Sequence, residues 1–321
     1  MAVYTHVTAE DIDEFMLGYD QGEVISFKGI AEGVENSNYL LQTTQNPFIL
    51  TLFEKRVNAD DLPFFLGLMD HLAQNGIVCA TPVRDKQGDN LRELCGRPAT
   101  LISFLNGMSI NRPLPEHCRQ LGREMARLHL AAADFELSRK NDLSVAGWGE
   151  LVEKCADRAD ECMAGLADIL KAEQTFLEQN WPQDLPEGVI HADLFTDNVF
   201  FLNNQLSGLI DFYFACNDAL VYDLAISLNA WCFEADGSMN ITKSRQMIKG
   251  YQEIRPLSDR ELDMLPVLCR GAALRFLLTR LYDWLNRVEG ALVLTKDPLE
   301  YLAKLKFHQA IKSVTSYGVD I

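Results

Sequence analysis

The sequence predicts an α+β chain of two lobes, a small one of mostly antiparallel strands and a larger one that is mainly helical. Three observations predict it. The 321 residues exceed what a single core usually organises. Residues 1–105 are rich in short β-prone runs separated by turn residues. From Pro113 onward the apolar residues fall at helical spacing. The expected division is therefore 1–105 and 106–321.

Taken in order, Thr8 reads as the N-cap of a short helix whose apolar stripe is Ile12, Phe15, Met16 and Tyr19. Residues 24–30, 39–43 and 48–53 read as strands, with a turn-rich link over 29–38 that holds Gly29 and Gly33. Residues 62–75 form a helix with Leu62, Phe65, Leu66, Met69 and Leu72 on one face and Gly76 as its stop. Asp60 or Asp61 is its expected cap. Residues 91–95 and 98–104 read as a hairpin, after which Ser103 to Gly107 closes the small lobe.

In the larger lobe Cys118, Leu121, Met125, Leu128 and Ala132 mark a helix, with His129 beside the stripe in a packing or hydrogen-bonding role. Residues 145–149 read as a glycine-flanked tryptophan turn packed at the surface, with Trp148 a candidate for lining a pocket. Residues 150–179 form one or two acidic helices, closed by Pro182 and Pro186. Leu274, Leu278, Leu281, Leu285 and Val288 give one face of a long helix, and Arg270, Arg275 and Arg280 lie off it. A last helix spans 298–313.

The chemistry concentrates between His191 and Phe212. Residues 199–202 and 206–212 are β-prone runs on either side of Asn203-Asn204-Gln205, the pattern of a hairpin. A turn centred on Asn204-Gln205 sets Asn198 opposite Asp211, with Asp193 just upstream. An amide oxygen and a carboxylate meeting beside a further carboxylate suit Mg²⁺ and a base for a hydroxyl. No Gly-x4-Gly-Lys-Ser/Thr run occurs, which removes the P-loop alternative.

Composition narrows the partners. Twenty-nine Lys and Arg against 46 Asp and Glu give a net charge of −17, unsuited to nucleic acid or an anionic membrane. The eight cysteines include no Cys-x2-Cys pair and sit mostly in apolar runs, so they read as reduced core residues of a cytoplasmic protein. The first residues lack a basic start followed by an apolar run, and no apolar stretch reaches membrane-spanning length.

Three stretches carry a resemblance: Gly29 to Tyr39 (Gly-Ile-Ala-Glu-Gly-Val-Glu-Asn-Ser-Asn-Tyr), His191 to Phe201, and Ile210 to Ala225. Together they resemble the aminoglycoside-phosphotransferase and choline-kinase group, relatives of protein kinases. More narrowly they resemble the homoserine kinases built on that fold. The resemblance implies a two-lobed protein-kinase-like fold and ATP-dependent phosphorylation of the L-homoserine hydroxyl. It implies Asp193 as base and His191 as organiser of the catalytic loop. Asn198 and Asp211 become Mg²⁺ ligands, and Asp223 a structural brace. The loop from Gly29 to Gly33 would cover the ATP phosphates, and Ser103 to Leu105 would face adenine through the backbone. The strand position that usually holds a lysine is Thr51. Lys28, Lys55 and Arg56 are the candidate replacements, with Lys28, beside the glycine loop, preferred. For the acceptor's ammonium and carboxylate the candidates are Asp218 and Glu234, and Arg275 and Arg280. Two alternatives remain open at this level: a related kinase for choline, methylthioribose or an aminoglycoside, and a catalytically silent nucleotide- or partner-binding module.

Overall fold

The structure is a computed structural model that describes residues 4–30, 36–54, 57–287 and 295–319. Gly33, Lys55 and Arg56 lie outside the described residues, as do residues 31–35 of the 29–38 link and Val288. The chain divides into two compact units. The first is Met1–Gly107 with Phe135–Leu137 and Ser207–Tyr213, and the second is the remainder. Sequence placed 207–213 in the larger lobe. They join the first unit because Leu209 exchanges backbone hydrogen bonds with Val78 (3.0 Å) and Ala80 (3.0 Å).

The first unit is built on a five-stranded sheet. Its strands are β1 (Val24–Ile30), β2 (Ser37–Thr43), β3 (Pro47–Leu52), β4 (Arg92–Leu94) and β5 (Arg97–Ser103), in the order β1-β2-β3-β5-β4. Every named pair in it is antiparallel. Helix α1 (Ala9–Met16) begins with a capping box in which Thr8 and Asp11 bond each other's backbone. It buries Ile12, Phe15 and Met16 against Tyr39, Leu41 and Leu50 of the sheet. Helix α2 (Leu62–Gln74) sets Asp61 at its N-cap position, but the aspartate makes no side-chain cap bond there. The cap is made one turn earlier, where the Asn58 side chain accepts from the Asp60 N–H.

The second unit is mainly helical. Its helices are α3 (Pro115–Ala131), α4 (Val145–Ala156), α5 (Leu166–Asn180), α6 (Leu220–Trp231), α7 (Ile241–Gln252), α8 (Asp259–Leu285) and α9 (Pro298–Ala310). The expected tryptophan turn is the first turns of α4. Trp148 is wholly buried there, and its indole N–H donates to the Leu143 carbonyl at 2.6 Å, so it is a core residue. Two short strands went unforeseen. β6 (Glu187–Ile190) pairs antiparallel with β9 (Cys216–Ala219), and this pair leads into the residues of interest. Between them come β7 (Val199–Leu202) and β8 (Gln205–Leu209). The residues with left-handed backbone between β7 and β8 are Asn203 (φ 52°) and Asn204 (φ 62°). The two-residue turn is thus one position earlier than expected, as suits asparagines in a primed turn. The pairing of Asn198 with Asp211 inferred from the later turn loses its basis. Among the described residues no helix is long and apolar enough to cross a membrane, and the cysteines are free.

Helices α3 and α7 approach each other through glycines. A Cβ on Gly122 would run into the Met247 carbonyl oxygen, and one on Gly250 into the Arg119 carbonyl oxygen. In an exposed helix Gly→Ala gains about 1 kcal/mol. Here backbone stands in the way, so Gly122→Ala is expected to lower stability by about 1–3 kcal/mol. Equilibrium urea unfolding followed by far-UV circular dichroism measures this, and a midpoint at or above that of the parent contradicts the close crossing.

Candidate active site

The strand β6 ends at Ile190 and delivers His191, Ala192 and Asp193. His191 is fully buried and Asp193 half-buried. Ala192 adopts φ 63°, a left-handed conformation uncommon for a residue with a Cβ. The Asp193 N–H reaches His191 Nδ1 at 3.3 Å, so that ring nitrogen acts as an acceptor. A 3-10 turn over Thr196–Asn198 then brings Asn198 back over the loop. Its Nδ2 donates to the Asp193 carbonyl (2.8 Å) and to Asp193 Oδ2 (3.0 Å). Donation to a carboxylate fixes which end of the amide is nitrogen. The Asn198 Oδ1 is thereby turned away from Asp193.

The strained residue is held from both ends. Asp223, fully buried on α6, accepts from the His191 N–H (3.0 Å) and the Ala192 N–H (2.8 Å). Its third partner is His129 Nε2 on α3 at 3.1 Å, whose Nδ1 meets the Tyr251 hydroxyl on α7 at 2.8 Å. Burial pushes the Asp223 carboxyl up. The hydrogen bond and charge of His129 and the His191 N–H together outweigh it, and the group sits below its ordinary value. From the other side Arg275 of α8, 1% exposed, donates from Nη1 to the Ala192 carbonyl at 2.8 Å. Its guanidinium also lies over the rings of Phe276 (4.7 Å) and Phe214 (5.7 Å).

The remaining acceptor candidates each have a partner within the second unit. Asp218 takes the Asn141 amide at 2.7 Å and caps its neighbour Ala219 N–H at 2.7 Å. Burial raises its carboxyl above the ordinary value. Glu234 bridges to Lys243 at 2.7 Å and takes the Asn240 amide at 2.7 Å, and these bonds, Lys243 first, lower its carboxyl. Arg280 pairs with Glu300 at 2.6 Å. Arg275, offered by sequence as a cation for the acceptor carboxylate, is too buried to meet a ligand without first leaving Ala192. Asp197 is exposed, 3.7 Å from Lys296.

The nucleotide-side candidates belong to the first unit. Thr51 is 3% exposed and donates to Asn38 Oδ1 at 2.8 Å. Tyr213 is hydrogen-bonded to the same threonine. Burial first, and the Asp211 charge second, keep the phenol protonated far above its usual range. The position usually given to a lysine is thus one link in a chain of neutral polar groups. Asp211 is exposed and carries φ 64°. Lys28 is exposed on β1, and Gly29 pairs with Tyr39 of β2. Ser103 Oγ engages the Thr81 N–H (3.0 Å) and hydroxyl (2.9 Å), and Leu105 is half-buried. Sequence reasoning passed over Glu54, which takes the Ser37 hydroxyl at 2.7 Å and lies 3.3 Å from Arg97.

His191, Asp193, Asn198, Asp223 and Arg275 therefore form one hydrogen-bonded loop, while Glu234 and Arg280 are tied to Lys243 and Glu300. The hydrogen-bonding role expected of His129 holds, but its partner was not foreseen, because Asp223 lies 94 residues away and leaves no local signal. A half-buried carboxylate on a braced, left-handed loop, in a chain that has a helical unit and an antiparallel sheet unit, is the framework of the kinase-like phosphotransferases.

Comparison with known proteins gives that class a family: the chain belongs to the phosphotransferase enzyme family, whose description matches residues 26–257. It is 60% identical over 319 residues to a homoserine kinase of Xanthobacter autotrophicus, covering 99% of each chain. It is 59% identical over 319 residues to a homoserine kinase of Agrobacterium fabrum, again covering 99% of each. Among solved structures it is similar to amicoumacin kinase hAmiN, captured with AMP-PNP, Ca²⁺ and Ami. The TM-score is 0.70 at 13% identity, over 96% of this chain and 95% of that one. A choline kinase from Cryptosporidium parvum gives 0.67 at 14% identity, over 94% of each. At such identity the structural likeness speaks for the fold, and the fold is the protein-kinase-like one expected.

Replacing Asp223 by asparagine keeps the shape but removes an acceptor, so at least one of two buried N–H groups loses its partner. Asp223→Asn is expected to lower stability by at least about 1–3 kcal/mol. The sign with pH follows from the lowered carboxyl. Its contribution is full above the unfolded carboxyl value of about 4 and is lost as pH falls through the lower folded value. The gap between parent and variant in thermal unfolding should accordingly hold from pH 7 to 5 and close only in stronger acid. A gap that is absent at pH 7 contradicts the brace.

Proposed function

We propose that this chain transfers the γ-phosphoryl group of ATP to the side-chain hydroxyl of L-homoserine, giving O-phospho-L-homoserine and ADP as a step towards threonine. The observation that carries the reading is the braced Asp193, set directly after left-handed Ala192 and bonded to Asn198. It stands in a chain whose relatives named homoserine kinase match it from end to end. Asp193 accepts the hydroxyl proton as the acceptor oxygen bonds to phosphorus and the bond to the ADP oxygen breaks. Phosphoryl transfer requires chiefly positioning and charge stabilisation, and the loop geometry supplies the first.

An amide oxygen and a carboxylate are the kinds of oxygen donor a hard divalent cation takes. The Asn198 Oδ1 is turned away from Asp193, and Asp211 is an exposed carboxylate. Among the described residues no group of three or more His, Cys, Asp or Glu could hold a metal by itself. Mg²⁺ binds through one or two protein ligands with phosphate oxygens and water. Held by Asn198 and Asp211, Mg²⁺ would offset charge on the phosphates. The backbone of Gly29 and Gly33 is read as the phosphate cover, with Lys28 beside it, and that of Ser103 to Leu105 as the adenine contact. Asp218 and Glu234 stay the candidate acids, and Arg280 the candidate cation, for the amino-acid end of the acceptor. The work is cytoplasmic in this reading.

The test is phosphate transfer from ATP to a panel of L-homoserine, L-serine, choline and an aminoglycoside, with product mass determined. L-Homoserine should give a kcat/KM at least roughly tenfold above the others, since one methylene in a fitted site is worth about 1–3 kcal/mol. Turnover of choline or the aminoglycoside with homoserine inert would overturn the acceptor and leave the kinase. In the same assay Asp193→Asn should lower kcat by about 10²–10⁴, the contribution of a positioned base. Undiminished turnover in that variant would remove Asp193 as the base.

A further inference from the structure

We propose that Arg275 is a positioning residue for phosphoryl transfer, aiming Asp193 by holding the Ala192 carbonyl, rather than a ligand for the acceptor's carboxylate. The inference rests on Asp193 being the base. Three observations lead to it. First, Ala192 has φ 63°. A residue with a Cβ stays in that region only where its surroundings over-determine it. Second, both backbone polar groups of this one residue are bound by buried ionisable side chains of opposite sign. Asp223 takes the N–H at 2.8 Å and Arg275 gives to the C=O at 2.8 Å. Hydrogen bonds with one ionised partner are about twice as strong as neutral ones. Third, Arg275 is 1% exposed. A guanidinium buried to that degree is not open to a ligand from solvent.

The two clamps come from different helices, Asp223 from α6 and Arg275 from α8. Asp223 fixes the N–H groups of His191 and Ala192, and the following peptide is held at its Asp193 N–H by His191 Nδ1 (3.3 Å) and at its carbonyl by Arg275. That peptide joins Ala192 to Asp193, and its carbonyl is the atom Arg275 binds. Fixing it sets the direction in which the Asp193 side chain leaves the loop. A shift of about 1 Å in a reacting group can lower a rate by about 10²-fold.

The experiment is steady-state kinetics of the full chain with L-homoserine and ATP, comparing Arg275→Met and Arg275→Lys alone and in the Asp193→Asn background. For a positioning role, Arg275→Met lowers kcat by about 10–10²-fold while KM for homoserine changes less than about threefold. Arg275→Lys, which keeps a charged donor, recovers part of the loss. In the Asp193→Asn background Arg275→Met then costs little more, because the group it aims is already gone. The proposal is overturned if KM for homoserine rises tenfold or more with kcat unchanged, the signature of a lost carboxylate partner. It is equally overturned if the kcat losses from the two sites multiply. Should Arg275→Met not fold, the comparison is carried by Arg275→Lys and Arg275→Gln under the same criteria. Full activity of Asp193→Asn on its own would instead mean that the base assignment had failed.

Discussion

The structure of the second unit depends on one buried carboxylate. Asp223 has no contact with water, and a charged group so placed is tolerated only when it is paired and hydrogen-bonded. It is engaged by two consecutive backbone N–H groups and by His129. Those N–H groups stand at the end of β6, where the chain must leave the strand and turn back over it. A left-handed residue makes that turn, and it leaves the His191 and Ala192 N–H groups pointing the same way, towards the acid. The strain at Ala192 and the burial of Asp223 are thus two sides of one arrangement.

The brace is itself supported at a distance. His129 is held by Tyr251, whose hydroxyl receives Arg255 at 3.3 Å, and Arg255 pairs with Glu261 at 2.7 Å. Glu261 caps the first turn of α8 together with Ser258. The route runs from the loop through α3 and α7 to the start of α8, the helix that also carries Arg275. Buried polar chains of this kind keep their value only when each member is satisfied. Helix packing at Gly122 and Gly250 is therefore linked to the loop, because it sets the distance between His129 and Tyr251.

Much of this was legible in the sequence, for reasons that differ by element. The strands and the α1 cap follow local rules, and Thr8 with Asp11 forms the expected start. The motif from His191 to Asn198 is compact enough to be read as a unit. What escaped was long-range or conformational. The pairing of β6 with β9 joins segments too short to stand out, and β9 holds Asn217 and Asp218, residues poor in β-propensity. The tryptophan segment looked like a turn because of Gly147 and Gly149, yet it is helical since Trp148 has a core to enter. There the Gly147 position faces the Asp142 carbonyl too closely for a Cβ. The hairpin turn was placed one residue late because three polar residues in a row give no single centre. The left-handed backbone of Asn203 and Asn204 decides it.

The first unit poses the complementary question of where positive charge comes from. A lysine at position 51 would have to bury an ammonium among Asn38 and Tyr213, and the chain instead sets a hydroxyl there with its bond satisfied. The neighbouring phenol stays protonated, so it offers no charge of its own for a cation to pair with. The nearest buried acid after β3, Glu54, already has Arg97 and Ser37. Among the described residues Thr51, Ser37 and Glu54 have their polar partners without a lysine at position 51. On the proposed reading the charge that such a lysine would bring to the nucleotide falls to Mg²⁺ and to side chains nearer the glycine loop, in a protein whose overall charge of −17 offers no general attraction for an anion. The specificity for ATP then rests on local ligands and backbone donors. That is the kind of recognition least visible in a sequence, since a peptide N–H can be offered by almost any residue.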